Sequence, residues 1–362
     1  MLKQQKIFFD FLRFCIGSES EIPSSLKEAD WKELYAIAKK QCLVGVLFDG
    51  IKKLPAEQVG MKKGLLFQWI AKNRMLEKAN VRLNDAAIQV SEWFRKKGFR
   101  TCILKGQGNA LMYPNPYSRT PGDIDIWVEG GYKRVISFVR SISPHEKACY
   151  HHIEFPSYKG VEVEVHYRPS FLLCFWHNRK LQNFYERMKE EQFSHRVMLG
   201  KQGEIAIPTA EFNLIFQLTH IYAHLMNEGI GLRQLLDYYY VLISDDLLLI
   251  GDRVQKELKE LGLWKFAGGI MYIMQEVFGM PASRLIVPPN EKYGKFVLNE
   301  VLEAGNFGKH DERNRFGRSK LGHNLQRVYR DIRLMRYFPG EAMSEPFFRI
   351  WHFFWRKSVS IR

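Results

Sequence analysis

Apolar residues in the first 97 positions recur at the spacing of an α-helix rather than that of a strand. The clearest stripe lies within residues 65–97, where apolar residues follow one another at intervals of three or four positions. Its members are Leu76, Ala79, Leu83, Ala86, Val90 and Phe94. Gly98 comes directly afterwards, where glycine commonly ends a helix. The pattern predicts a long amphipathic helix that closes an N-terminal helical region, residues 1–97.

Between residues 99 and 170 the pattern changes to short apolar runs and to strict alternation of apolar and polar residues. Residues 132–142 have helical spacing, whereas the other segments have the pattern of strands. The strand-like segments are 99–104, 123–128, 150–155 and 161–167. We therefore expect a small α/β core within residues 98–200.

From Thr209 onward the helical spacing returns, and prolines separate the segments. This predicts a C-terminal helical region, residues 201–362, which ends in a basic and aromatic tail. The three regions together indicate an α+β fold: a small mixed sheet with flanking helices, between N- and C-terminal helical regions.

The charge of the chain is strongly positive, with 54 Lys and Arg against 39 Asp and Glu and a net charge of +15. Such an excess attracts anionic partners. Much of it lies in residues 309–336, where nine basic residues accompany three acidic ones. With the aromatic residues that follow, segment 309–362 suits weak contact with a membrane surface or with RNA, and Phe316, Tyr329 and Tyr337 are candidates for stacking. A solvated face is the alternative for the basic run, and packing onto the helical body or a dimer partner is the alternative for the aromatic tail.

The cysteine pattern and the apolar runs bear on the cellular compartment. The five cysteines are odd in number, scattered and without a CxxC pair, which argues against a disulfide framework and a thiolate zinc site. No apolar run approaches the roughly 18 residues of a transmembrane helix. We expect no transmembrane segment and a cytoplasmic location.

Asp123 and Asp125 are the first candidates for chemistry. They are two positions apart in a strand pattern, so their carboxylates share one face while Ile124 and Ile126 point into the core. Two like charges at this separation are costly unless a cation lies between them. Mg²⁺ fits because it takes one or two protein carboxylates and completes its shell with water and phosphate oxygens.

Two neighbouring motifs support a metal and phosphate site. Lys105-Gly106-Gln107 ends the first strand in a glycine turn, where backbone amides can approach phosphate oxygens and the lysine adds positive charge. Glu162, Glu164 and His166 share one face of the strand at 161–167, whose other face carries valines. Glu164 or Glu162 can supply the third carboxylate of a two-metal phosphoryl-transfer site.

Residues 104–128, LKGQGNALMYPNPYSRTPGDIDIWV, resemble the nucleotidyltransferase superfamily of the DNA polymerase beta type. The leucine-lysine-glycine, the tyrosine-proline and the arginine before the paired aspartates are similar to an uncharacterised bacterial family of that superfamily. Residues 163–168 are similar to its strand with acid-x-histidine-aromatic-arginine, and residues 232–237 to a helix that follows. The resemblance covers roughly residues 60–245.

The resemblance implies a nucleotidyltransferase-like fold and transfer of a nucleoside monophosphate from an NTP, most simply ATP, with release of pyrophosphate. The acceptor stays open between a small molecule, a protein side chain and an RNA end. The residues implied to hold two Mg²⁺ ions, or Mn²⁺, and to act in catalysis are Asp123, Asp125 and Glu164. The residues implied to bind the nucleotide are Lys105, Gly106, Gln107, Arg119 and His166. Gln107 stands where the superfamily usually has serine, and the gap from Gly106 to Asp123 is longer than usual.

Several polar residues also have structural interpretations. Arg119 fits an ion pair that holds its loop as well as a phosphate contact. His166 fits a satisfied buried histidine as well as a partner of Glu164 or of phosphate. The altered turn at Gly106-Gln107 leaves a second functional hypothesis, a non-catalytic module that binds nucleotide or RNA on the same fold.

Two residue pairs have the i, i+4 spacing of a helix face. His220 and His224 have the spacing of a zinc pair, but the sequence supplies no third ligand nearby. Arg233 and Asp237 have the spacing of a helix-stabilising ion pair. Contact with substrate is the alternative for this second pair.

Overall fold

The structure is a computed structural model that describes residues 2–201, 203–244, 250–313 and 320–360. Most of these residues are helical, around one four-stranded sheet and one two-stranded sheet, so the expected α+β class is confirmed. The strands are β1 (Thr101–Ile103), β2 (Ile124–Val128), β3 (His152–Tyr158), β4 (Val161–His166), β5 (Arg196–Leu199) and β6 (Gly203–Ala206). The helices are α1 (Lys3–Ile16), α2 (Trp31–Lys40), α3 (Val44–Ile51), α4 (Lys63–Lys96), α5 (Gln107–Ala110), α6 (Gly131–Ile142), α7 (Phe175–Ser194), α8 (Ala210–Asn227), α9 (Leu232–Leu242), α10 (Gly251–Glu260), α11 (Trp264–Phe278), α12 (Glu291–Ala304), α13 (Lys320–Met335) and α14 (Pro339–Ser360).

The four-stranded sheet is mixed and has the order β1-β2-β4-β3. β2 runs parallel to β4 and antiparallel to β1, while β3 runs antiparallel to β4. Each strand lies within or close to a predicted strand-like segment, and α6 lies in the predicted helical segment between them. The chain therefore forms the small mixed sheet that the alternation predicts.

The two faces of this sheet differ in chemistry. The face that carries Ile124, Ile126 and the β4 valines packs against α4 and α6, in one apolar core cluster. The helix α4 contributes the stripe that the sequence predicts, with five of its residues buried. Those residues are Leu76, Leu83, Ala86, Val90 and Phe94. The opposite, polar face of the sheet points toward the C-terminal helices and lines a cavity.

A second, larger core joins the ends of the chain. It contains residues of α1 to α3, of α8, α9 and α11, and also Trp127 from the sheet. The predicted boundary at residue 200 falls in the turn between β5 and β6, a hairpin that the apolar pattern does not predict. The division into regions 1–97, 98–200 and 201–362 stays a prediction.

The C-terminal helices α13 and α14 pack against each other and cover one side of the cavity. Phe348 is 6 % exposed and stacks on Phe171, whereas the adjacent Phe347 is 68 % exposed. The expected packing of the aromatic tail onto the helical body is thus met by one side of α14 only. Phe316 lies outside the described residues.

The outer side of this helix pair remains apolar. Its exposed residues include Leu321, Leu325, Val328, Ile332, Met335, Met343, Phe347, Ile350 and Phe354. The three acidic residues of the two helices, Asp331, Glu341 and Glu345, are all buried. Contact of this segment with a membrane surface or RNA stays a prediction. Among the described residues, no helix is both long enough and apolar enough to cross a bilayer.

Candidate functional site

The parallel pair of β2 and β4 brings three carboxylates together. Asp125 lies opposite Glu164 in the register, and Asp123 precedes β2 on the same face as Asp125. One carboxylate oxygen from each of the three lies within 4.8 Å of the others. Of the two acids that the sequence leaves open, Glu164 belongs to this cluster and Glu162 is exposed to solvent. Three convergent oxygen donors fit a hard divalent cation such as Mg²⁺.

Electrostatic repulsion within this cluster changes the pKa of Asp123. The charge of Asp125 and burial together raise the pKa of Asp123 to about 6. A cation between the carboxylates removes this repulsion, because it interacts favourably with both charged forms. The three carboxylates are therefore more stable together with a bound cation than without one.

Asp125, the innermost carboxylate, already contacts two basic side chains. Its Oδ1 lies 2.9 Å from Nζ of Lys105 and 3.0 Å from Nε2 of His166. Burial alone would raise the pKa of Asp125, but the charge of Lys105 and the hydrogen bond of His166 outweigh it and lower that pKa. Burial likewise opposes the charge on His166, yet hydrogen bonds with Asp125 and Glu164 raise the pKa of His166 to about 9. His166 is thus buried and also a partner of Glu164, as both interpretations of the sequence have it.

Two further histidines, directly before β3 and at its first residue, extend the cluster. His151 Nε2 lies 3.0 Å from His152 Nδ1, which lies 3.4 Å from Glu164 Oε2. On the other side, His151 Nδ1 is 3.4 Å from the thiol of Cys149. Burial, with the charge of His166, lowers the pKa of His152 to about 4. Burial also lowers the pKa of His151, so both imidazoles are neutral at physiological pH. The adjacent histidines in the sequence are the signal that could have indicated this group.

Lys105 connects the carboxylates to α8. Its Nζ lies 3.0 Å from His220 Nε2, and His220 Nε2 lies 2.9 Å from His224 Nε2. The described residues contain four clusters with three or more metal-ligating side chains, and neither histidine belongs to them. The i, i+4 pair of α8 therefore packs beside the lysine instead of forming a zinc site with a third ligand.

The turn after β1 has a backbone conformation that glycine adopts readily, which lets phosphate oxygens approach its amides closely. Gly106 has φ +56° and ψ −107°, which L side chains rarely adopt. The Gln107 side chain is buried and donates a hydrogen bond to Asn84 on α4, so it points away from the carboxylates. Of the sequence-predicted site residues, Gln107 is the one that lines neither of the two cavities formed by described residues around the cluster.

Arg119 forms the ion pair that the sequence leaves open. Its Nε and Nη2 each lie 2.8 Å from a different oxygen of Asp237, and both residues are buried. Asn80 of α4 fixes the same loop, because its amide donates to the carbonyl of Arg119 at 2.9 Å. Asp237 is thus paired with Arg119, and the expectation of a pair between Arg233 and Asp237 is corrected. A bidentate guanidinium contact from a distant loop is geometrically stronger than a pair along one helix.

Arg233 is left as a buried cation with few contacts. Its Nη1 donates to the carbonyl of Thr120 at 3.3 Å, and its buried Nε has no hydrogen-bond partner among the described residues. Burial and the nearby charge of Arg119 lower its pKa. Arg233 lines a small pocket of about 40 Å³ together with Lys105, Gly106 and Asp123. The sequence carries no signal for this role, because the spacing of Arg233 and Asp237 predicts an ion pair between them.

The carboxylates lie where this pocket meets a larger cavity. The larger cavity has a volume of about 750 Å³, and Lys105, Asp123 and Asp125 line both spaces. Glu164 and His166 line the larger one, as do Arg327 and Arg349 of the C-terminal helices. A cavity of this size, acidic at one point and basic around it, can accept an anionic organic ligand.

Residues 27–279 match a protein family described as uncharacterised nucleotidyltransferase. The chain belongs to this family of nucleotidyltransferases. Membership implies a nucleotide substrate and places the chain among the transferases. The acidic cluster of the site is also of the kind that can bind the divalent metals typical of nucleotidyltransferases.

Comparison with other proteins adds little beyond this family. A crystal structure of an antigenic nucleotidyltransferase-like protein from Paracoccidioides brasiliensis matches with 12 % identity and a TM-score of 0.31. The match covers 58 % of this chain and 95 % of that one. No curated protein matches the chain.

Proposed function

We propose that this protein transfers a nucleoside monophosphate from an NTP to an acceptor oxygen and releases pyrophosphate. The observation that carries the proposal is the convergence of Asp123, Asp125 and Glu164 at a 750 Å³ cavity, in a chain of the nucleotidyltransferase family. We propose ATP as the first NTP to test. The acceptor is a small molecule, a protein side chain or an RNA end.

Asp123, Asp125 and Glu164 would hold one or two Mg²⁺ ions, with Mn²⁺ as a substitute. When bound there, the metal polarises the α-phosphate and neutralises the departing pyrophosphate. Glu164 faces the acceptor, because its side chain is 34 % exposed while that of Asp125 is 3 % exposed. Glu164 takes the acceptor proton as the acceptor oxygen bonds to the α-phosphorus, and the bond from that phosphorus to pyrophosphate breaks.

The remaining residues position the nucleotide. Lys105, Gly106 and Arg233 face the small pocket, which suits a phosphate group at one end of the triphosphate because three cations, with Arg119 as the third, and a glycine turn line it. His166 holds the carboxylate of Asp125 in place. We propose positioning roles for Gln107, which anchors the turn to α4, and for Arg119, which anchors the loop before β2 to Asp237.

The test is release of pyrophosphate from each of the four NTPs, measured with and without Mg²⁺ and with candidate acceptors including the protein itself. The expected result is metal-dependent release that Asp123→Asn or Glu164→Gln abolishes. The matched variant Glu162→Gln should retain activity, since Glu162 is on the same strand face but outside the carboxylate cluster. Equal loss of activity in Glu162→Gln and Glu164→Gln would contradict the assigned third acid.

A non-catalytic binding module is the second candidate, and one observation favours it. Asp125 Oδ1 already contacts both Lys105 and His166, which compete with a metal for this oxygen. Calorimetric titration with each NTP separates the two functions. Tight binding of nucleotide or RNA that is indifferent to Mg²⁺, together with absence of pyrophosphate release, would support the module.

A further inference from the structure

A second group of metal-ligating side chains adjoins the three carboxylates. Nitrogen atoms of His152 and His166 and an oxygen of Glu164 all lie within 4.8 Å of one another. Glu164 therefore belongs to two groups: one consists of oxygen donors only, and the other adds two imidazole nitrogens. The two groups differ in the kind of cation that they favour, because imidazole suits transition metals and carboxylate suits Mg²⁺.

The spacing of the second group matches that of ligands around a small cation. Glu164 Oε2 lies 3.4 Å from His152 Nδ1 and 3.4 Å from His166 Nε2. Bonds of about 2.0–2.1 Å to a tetrahedral zinc ion place neighbouring ligands roughly 3.3–3.4 Å apart. Two histidines and one carboxylate are also a common protein ligand set of catalytic transition-metal sites, in which the remaining positions stay open to water or substrate.

The surroundings of His166 favour ligation. His166 Nδ1 lies 3.3 Å from the carbonyl oxygen of Arg168, so that nitrogen donates and Nε2 faces the carboxylates. A metal-ligating histidine usually has such a carbonyl or carboxylate partner on its other nitrogen, which fixes the ring orientation. His151, a buried neutral imidazole, lies 3.0 Å from His152 Nδ1, the same nitrogen that faces Glu164, so a cation at that atom would take the place of His151. The ring of His166 is positioned by a contact that lies outside the ligand set.

We propose that His152, Glu164 and His166 form a nitrogen-containing metal subsite that binds Mn²⁺, Fe²⁺ or Zn²⁺ in preference to Mg²⁺. This subsite lies beside the oxygen-only subsite of Asp123 and Asp125 and shares Glu164 with it. The inference deepens the proposed function and rests on it only for the role of that shared carboxylate. On binding, the metal ion replaces the proton on His166 Nε2, and the proton is released to solvent.

The test uses the full chain, loaded with one equivalent of Mn²⁺ in an excess of Mg²⁺ that fills the oxygen-only subsite. Pulsed electron paramagnetic resonance detects ¹⁴N coupling to bound Mn²⁺, and equilibrium dialysis gives its Kd. The expected result is ¹⁴N coupling in the unaltered protein. In His152→Asn the coupling should weaken, and the Kd for Mn²⁺ should rise by at least about tenfold, since loss of an outer-shell partner alone commonly has that effect.

His195→Asn is the matched control, because His195 is an exposed histidine directly before β5 and outside every metal-ligating cluster of the described residues. It should leave coupling and Kd unchanged. Bound Mn²⁺ without ¹⁴N coupling, or coupling of undiminished strength in both His152→Asn and His166→Gln, would overturn the subsite. Circular dichroism verifies that each variant is folded. Transfer activity with Mg²⁺ alone is measured in parallel, so failure of the subsite is distinguishable from failure of the proposed function.

Discussion

Arg119 and Asp237, 118 residues apart in the chain, form a buried bidentate ion pair between the loop before β2 and the helix α9. Tyr113 donates a third hydrogen bond to Asp237, at 2.7 Å. Burial opposes the charge on Asp237, but Arg119 lowers the pKa of Asp237 below its usual range. The pair therefore fixes the loop that carries Asp123 onto the C-terminal helical region.

Asp237→Asn should destabilise the protein by about 3–5 kcal/mol, because it leaves the Arg119 guanidinium buried without its counter-charge. Urea denaturation followed by circular dichroism measures this free energy of unfolding. The control Asp252→Asn removes an exposed carboxylate from α10 and should change stability by less than about 0.5 kcal/mol. Equal stability of the two variants would show that the buried pair contributes nothing to the fold.

Asp123→Asn should stabilise the metal-free protein, in contrast to Asp237→Asn, which should destabilise it. In the folded state the pKa of Asp123 is about 6 instead of 3.8, so its ionisation costs stability as the pH rises from about 4 through 6. In EDTA at pH 7.5 the variant should be more stable than the unaltered protein by about 1–3 kcal/mol. Thermal denaturation across this pH range measures the difference, which should vanish below pH 4. Added Mg²⁺ should stabilise the unaltered protein more than the variant.

Arg233→Gln should weaken use of the NTP. Loss of a charged hydrogen bond to phosphate costs about 1.5–3 kcal/mol, which corresponds to roughly a 10- to 100-fold fall in kcat/KM. The free energy of unfolding should be unchanged or higher, because the guanidinium is buried without a bound carboxylate. Steady-state pyrophosphate release measures the first quantity, and Arg233→Lys should recover part of it. A purely structural role would instead lower stability and leave KM for the NTP unaltered.

The stability of the protein should also depend on pH through Glu341, which lies outside the carboxylate cluster. It is buried and accepts hydrogen bonds from the backbone N–H groups of Leu173 and Cys174, and burial raises its pKa to about 7. Its contribution to stability is therefore complete below about pH 4.5 and is lost as the pH rises through 7. Between pH 5 and 8, Glu341→Gln should gain about 1–3 kcal/mol relative to the unaltered protein. Chemical denaturation at both pH values measures this, and the exposed Glu260→Gln should show no such trend.

Phe348 and Phe347 give a matched test of the C-terminal helix. Phe348 packs on Tyr150 and Phe171 and is 6 % exposed, so Phe348→Ala should cost about 3–5 kcal/mol. Phe347→Ala, at 68 % exposure, should cost less than about 0.5 kcal/mol. Thermal denaturation of both variants compares them directly. Similar losses in the two would mean that α14 is covered on its outer side in solution.

The parts of the fold that the sequence predicts are those with a strong local period. Alternation in β2 and β4 separates a carboxylate face from an aliphatic face, and the long stripe of α4 needs no partner to be recognised. The β5–β6 hairpin is not predicted from the sequence, because each strand has four residues, too few to show a clear alternation of apolar and polar positions. Gly200 and Gly203 are local signs of its turn.

The site was predictable where neighbours in sequence are neighbours in space. Asp123 and Asp125 share a strand face, so their spacing alone places them together. The partner of Asp237 was not predictable, because the helical spacing favours Arg233 while the contact is made by a loop residue far away in the chain. His151 and His152 approach Glu164 only through the pairing of β3 with β4, which the apolar pattern does not specify.

The pairing of Asp125 with Glu164 is at the same time the pairing of Ile124 with Val163. A slip of β4 by one residue would turn its valines into the cavity and its glutamates into the apolar cluster under α4. The metal-binding face and the core thus specify a single register together. Substitutions that make β4 uniformly apolar would retain a well-packed strand but remove the penalty for misalignment, so the charged residues also act as a device against mispaired sheets.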